Sequence, residues 1–197
     1  MIKNSDIAAE RYKGIGLFER YTKRSRVAIF HAVYEGLLRG SNEIEPQDIV
    51  LGLAREPHQQ GSPFAMLHTN AAELRSLIGS KPEFHGPPER REIPLSDHSK
   101  RALAYADMEA RHDRGYWIRG DHLLRGVLRT QNGTAKKLAA AGYTLTEMRR
   151  VSIESNRLFP DPKVPLAWRL RRYRRRLLWG VAAMMLVGAI LYLRSQN

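Results

Sequence analysis

His112, Asp113, Asp121 and His122 are the residues of this chain whose types and spacing come nearest to metal chemistry, since imidazole and carboxylate are what a divalent cation takes. A turn separates the two pairs, and none of the seven histidines falls in an H-E-x-x-H helix. The four are therefore read as surface polar residues, and no metal is expected. Nucleophilic chemistry fares no better. There is no G-x-S-x-G elbow, and with no cysteine in the sequence neither a thiolate nucleophile nor a disulfide framework exists. A phosphate cradle of the form G-x-x-x-x-G-K-[ST] is missing as well; "KGIG" and "IGSKPE" are the nearest strings and lack the required Lys-Ser/Thr. No catalytic residue and no cofactor are expected, so the chain is read as a non-enzyme.

What the sequence does carry is a duplication. "QDIVLGLAR" at 47–55 returns as "DHLLRGVLR" at 121–129. In the same ungapped register Ser25 falls on Ser99, Ala28 on Ala102, Ala32 on Ala106, Glu35 on Glu109, Ile44 on Ile118, Gly52 on Gly126 and Arg55 on Arg129. Each copy must be built from the same supersecondary unit.

The unit is helical. Ala28, Ala32 and Gly36, repeated as Ala102, Ala106 and Ala110, make a stripe of small residues at spacing four, a flat ridge on which a neighbouring helix can lie close. Val27, Phe30, Tyr34 and Leu37 supply the bulkier apolar positions. A turn follows, and Pro46 suits the opening of a second helix, with Asp48 and Asp121 placing negative charge at its positive end. Third and fourth helices are predicted around "SPFAMLHT" and "NAAELRSLIG" in copy one, and around "GTAKKLAAAG" and "TLTEMRRVSIES" in copy two. No alternating strand pattern competes, so the class is all-α with about eight helices. The expected layout is an extension at 1–17 and a double repeat at 18–155. Within it repeat 1 covers 18–79, a Pro-rich linker 80–94 and repeat 2 95–155. A second Pro-rich linker follows at 156–168.

The phrases "YTKRS" with "IEPQDIVLGL", and "PLSDHSKRA" with "IRGDHLLRGVL", resemble the Clp N-terminal domain. That domain is the double four-helix repeat preceding the ATPase modules of Clp-type AAA+ unfoldases. The likeness covers roughly residues 18 to 155. It implies recognition of proteins: substrates or adaptors delivered to an unfoldase and its protease. In some members a Thr at the repeat start and a Glu at the opening of the later helix hold phosphorylated arginine. Those positions fall on Thr22 with Gln47 and on Ser96 with Asp121. Only the second pair keeps a carboxylate to meet a guanidinium, and the alternative for Asp121 is a helix-terminal charge. Without a phosphate cradle the chain is not expected to be an unfoldase itself.

The last stretch reads differently. More than half of the net charge of +13 sits after residue 160. "RLRRYRRR" supplies Arg169, Arg171, Arg172, Arg174, Arg175 and Arg176, and seventeen uncharged residues follow at 177–193. A helix of that length spans about 25 Å, enough to cross a bilayer once flanking arginines snorkel. Trp179 and Tyr192 fall near its ends as interface aromatics. The expectation is a tail-anchored protein with one transmembrane helix, a short tail at 194–197, and its N-terminal part on the cytoplasmic side. The simplest setting is a bacterial inner membrane. The arginines then face anionic lipid; nucleic acid is the less favoured partner for them. Two readings follow. One is a non-enzymatic module at the cytoplasmic face of a membrane that recruits or sequesters substrates, adaptors or the unfoldase of a Clp-type protease. The other is a structural membrane organiser whose Arg cluster binds anionic lipid or nucleic acid.

Overall fold

In a computed structural model the described residues are 18–55, 64, 69–80, 92–158 and 162–166. Two compact units divide the chain, 1–161 and 162–197, and only 162–166 of the second are described. The expected Arg-rich segment, its aromatics and the apolar run at 177–193 therefore lie outside the described residues. Among the described residues no helix is long and apolar enough to cross a membrane.

The first unit is all-helical, with seven described helices. They are α1 (Lys23–Leu38), α2 (Pro46–Ala54), α3 (Ala71–Ile78), α4 (Asp97–His112), α5 (Gly120–Arg129), α6 (Gly133–Ala140) and α7 (Leu145–Leu158). The duplication is visible in them: α1, α2 and α3 correspond to α4, α5 and α7. The helix expected at 62–69 in copy one falls mostly outside the described residues, with only Phe64 described there.

Local chemistry sets the helix starts. Thr22 caps α1 by accepting from the Ser25 amide, and Ser96 caps α4 by accepting from the Ser99 amide. Pro46 opens α2, where its missing N–H costs nothing. Asp48 closes a capping box there by accepting the Glu45 amide at 2.7 Å, and His122 plays the same part in α5 by accepting the Arg119 amide at 3.0 Å.

The small-residue ridge works as expected. Gly52 lies against Ala28 and Ala32, and Gly126 against Ala102 and Ala106, so that α2 sits on α1 and α5 on α4 at backbone contact. Phe30 does not join this core; it is 69% exposed, and Ile29 is buried in its place. At 3.6 residues per turn Phe30 lies about 160° around the helix from Ala32. A ridge facing α2 therefore turns Phe30 outward.

The two copies exchange backbone. Thr22 N donates to Ile118 O at 3.1 Å and Ile118 N to Arg20 O at 2.7 Å. In the other copy Ser96 N donates to Ile44 O at 3.1 Å and Ile44 N to Pro94 O at 2.8 Å. These are the same bonds under the repeat register, so the copies meet about a pseudo-twofold axis in a self-complementary way. Thr69 and Tyr143, themselves equivalent positions, share a hydroxyl hydrogen bond of 2.8 Å across that axis.

Candidate functional site

Each copy buries one glutamate on its first helix. Glu35 accepts from Arg55 Nε at 2.5 Å and from Arg75 Nη2 at 2.6 and 2.7 Å. Glu109 accepts from Arg129 Nη1 at 2.9 Å and from Arg149 Nη2 at 3.0 Å. The same trio thus ties the first, second and fourth helices of each repeat. A guanidinium also lies over a ring in each: Arg55 over Tyr34 at 4.3 Å and Arg129 over Tyr105 at 4.9 Å.

Copy two then departs from copy one. Leu51, Ile78 and Gln47 are replaced by Arg125, Ser152 and Asp121. Arg125 is fully buried. Its Nη1 donates to Glu109 at 3.1 Å, and its Nη2 donates to Asp113 at 2.5 Å, to Asp121 at 3.3 Å and to Ser152 at 3.4 Å. Arg119 clamps Asp121 from the other side, Nε to Oδ1 at 2.9 Å and Nη2 to Oδ2 at 3.0 Å, a bidentate pair. Ser152 Oγ donates to Asp121 as well. Arg125 Nε is a buried donor without a partner among the described residues.

Asp113, Asp121 and His122 do come together, with ligand atoms within 4.8 Å of one another. Asp121 and His122 are buried, so they are not the surface polar groups expected from sequence; His112 and Asp113 are exposed, as expected. The Arg125 guanidinium bridges two of them, its Nη2 lying 2.5 Å from Asp113 and 3.3 Å from Asp121. The cluster is an ion-pair network.

Charge follows geometry. Burial works against the ionised Asp113, but His122 and Arg125 outweigh it; for Asp121 burial is outweighed by His122, Arg119 and Arg125. Both carboxyls are held far below the usual range. Glu109 is lowered too, burial being overcome by Arg149, Arg125 and Arg129. Asp48 goes the other way: burial raises it, and Arg39 with the Glu45 amide offsets only part. The lowered groups stabilise the fold above their unfolded values of 3.8 to 4.5, and that contribution is lost as pH falls through this range and below. Asp48 has the opposite sign, favouring the fold at low pH. The lowered carboxyls outnumber the raised one, so the melting temperature of the full chain should fall between pH 5 and about pH 2. A melting temperature unchanged or higher at about pH 2 would contradict this balance.

The residues singled out from sequence are distributed as follows. Thr22 and Ser96 are helix caps at the exchange of backbone between copies. Ser96 Oγ donates to Glu45 of the other copy at 3.2 Å and to Ser99 at 3.3 Å. Gln47 is half-buried in the first turn of α2. Asp121 is buried and held by Arg119, Arg125 and Ser152, and no hydrogen bond joins it to Ser96. The backbone exchange sets each repeat start beside the other repeat: Thr22 next to Ile118, and Ser96 next to Ile44 and Glu45. Reading either copy alone could not show this. Arg119, Arg125 and Glu45 were missed, although an available signal was Arg125 and Ser152 falling on Leu51 and Ile78, positions that copy one must bury.

No family model matches the chain. Among curated proteins it is 30% identical over 139 residues to the chloroplastic chaperone protein ClpC of Pisum sativum, covering 66% of this chain and 14% of that one. It is 26% identical over 131 residues to the ClpC ATP-binding subunit of the Clp protease of Staphylococcus saprophyticus, covering 63% and 15%. The chain thus spans about one seventh of the length of the curated relatives it matches. The crystal structure of the N-terminal domain of the Clp-associated chaperone ClpD from Arabidopsis thaliana shares the fold. Its TM-score is 0.56 at 22% identity, with 72% of this chain and 97% of that one covered. The helical unit is thus similar in sequence to ClpC over 139 residues and shares the fold of the ClpD N-terminal domain.

Proposed function

We propose that the helical unit is a non-enzymatic protein-binding module of a Clp-type system, recruiting or sequestering substrates, adaptors or the unfoldase itself. The observation that carries this is the ClpC similarity over two thirds of the chain, joined to the duplicated helical fold. Phosphoarginine binding belongs to the same proposal, at Ser96 with Asp121 or Thr22 with Gln47. The internal arginines on Asp121 give any such ligand a competitor to displace.

The proposal includes a membrane. It rests on sequence alone: the six arginines of 169–176 ahead of an uncharged run at 177–193 favour a single span with the helical unit at the cytoplasmic face and the arginines on anionic headgroups. Cross-linked affinity purification of the intact chain from its own membranes, with a version lacking 169–197 as control, should return a Clp-type unfoldase or protease subunit as dominant partner. Recovery of unrelated membrane proteins only would sink the Clp reading. A chain that stays soluble after carbonate extraction would sink the membrane one.

A further inference from the structure

The two glutamate clusters hold more guanidinium than carboxylate. In copy one Arg55 and Arg75 share Glu35. In copy two Arg119, Arg125, Arg129 and Arg149 stand against Asp113, Asp121 and Glu109, four cations against three anions. The surplus lies at the surface: Arg129 and Arg149 are 32% and 38% exposed, while Glu109 beneath them is wholly buried. Neutralising a buried glutamate needs one guanidinium; each copy keeps two at the rim.

The donors left over are placed for recognition. Arg129 binds Glu109 through Nη1 only, and Arg55 binds Glu35 through Nε only, so each has terminal N–H groups without a partner among the described residues. Each of these arginines lies over a tyrosine ring, which restrains the planar group and leaves its edge available. The tyrosines are not equivalent under the repeat register, since Tyr34 falls on Met108 and Tyr105 on His31. The two copies therefore reach the same stacked arrangement from different positions.

We propose that these two rims, Arg55 with Arg75 and Arg129 with Arg149, receive the carboxylates of an acidic segment on a protein partner. The inference rests on the protein-binding reading above and adds the chemistry of what is bound. A carboxylate matches the guanidinium fork in a bidentate way that a point charge does not. Residues 1–160 alone carry 25 Lys or Arg against 19 Asp or Glu, a net charge of +6 that favours an acidic segment.

The test uses the full chain with the six arginines of 169–176 replaced by Gln, so that the tail does not capture the probe. Phenylglyoxal modification, read site by site by mass spectrometry, is followed with and without a decaglutamate peptide. Arg55 and Arg129 should be protected, and Arg150, an exposed arginine paired with Glu147, should not. Lysine at both positions keeps a cation on each buried glutamate but loses the fork. R55K/R129K should therefore weaken binding of fluorescent decaglutamate by about fivefold or more, with melting unchanged within a few degrees. Unprotected Arg55 and Arg129, equal affinity in R55K/R129K, or protection by inorganic phosphate at lower concentration than by peptide would each overturn the proposal. Unfolded casein separates the two readings. Casein bound equally by parent and R55K/R129K, with no peptide protection, removes the acidic-segment inference alone; peptide protection without casein binding removes the client reading alone.

Discussion

Arg125→Ala is expected to destabilise the helical unit by about 3–5 kcal/mol, the cost of removing one partner from a buried ion network. The guanidinium is wholly buried and donates to Glu109, Asp113, Asp121 and Ser152, so alanine leaves a cavity lined by carboxylates. Copy one fills the three positions differently: Leu51, Gln47 and Ile78 stand where copy two has Arg125, Asp121 and Ser152, beside an Arg39–Asp48 pair that falls on Asp113 and His122. The quadruple variant Arg125→Leu, Asp121→Gln, Ser152→Ile, Arg119→Glu, which also removes the cation that Asp121 and Ser152 hold, should recover most of that loss, because a buried ion network often exchanges for well-packed apolar groups at little cost. Urea melts of the three proteins decide it. A quadruple variant as unstable as Arg125→Ala would show that the network is required as such.

Gly126→Ala is expected to cost about 3 kcal/mol, and Gly52→Ala a similar amount, at the upper end for overpacking. A Cβ at Gly126 would meet the Ala102 carbonyl inside van der Waals contact and the Ala106 amide nitrogen at 2.8 Å; at Gly52 it would meet the Ala28 carbonyl and the Ala32 nitrogen at 2.7 Å. All of these are backbone atoms of the facing helix, which cannot rotate away as a side chain can. The helix pair must separate instead. Gly133 is the control: nothing lies near its Cβ direction, so alanine there should leave the melt almost unchanged. A Gly126→Ala variant as stable as Gly133→Ala would contradict the close approach of α4 and α5.

These two sites also divide what a reader of the sequence can see from what is hidden. The Gly52 and Gly126 contacts were legible, because small residues at spacing four on α1 and α4 faced a single glycine in each following helix. So was Pro46 as the opening of α2, whereas Thr22 and Ser96 were read only as pocket residues and their capping role came from the structure. Phe30 was misplaced because apolar character alone does not choose a face; the ridge of small residues did, and Phe30 fell on its far side. Arg125 was hidden for a related reason. An arginine in an amphipathic helix ordinarily reads as solvent-facing, and its burial depends on Glu109, Asp113 and Asp121 arriving from other turns of the fold. The exchange of backbone between Thr22 and Ile118, and between Ser96 and Ile44, joins positions far apart in sequence, and periodicity within a repeat carries no trace of it. The pairing of Asp113 with His122 was in view as spacing, but its meaning changed once Arg125 was found to bridge the carboxylates.

The proposed function requires that the helical unit bind protein. The most direct measurement is a titration of fluorescently labelled unfolded casein, and separately of a purified Clp-type unfoldase hexamer, with the detergent-solubilised full chain. Saturable binding of at least one of them with a Kd at or below about 10 µM, roughly 7 kcal/mol, is the predicted result. Absence of saturable binding to either at about 100 µM chain, with the helical unit shown folded by its thermal melt, would contradict it.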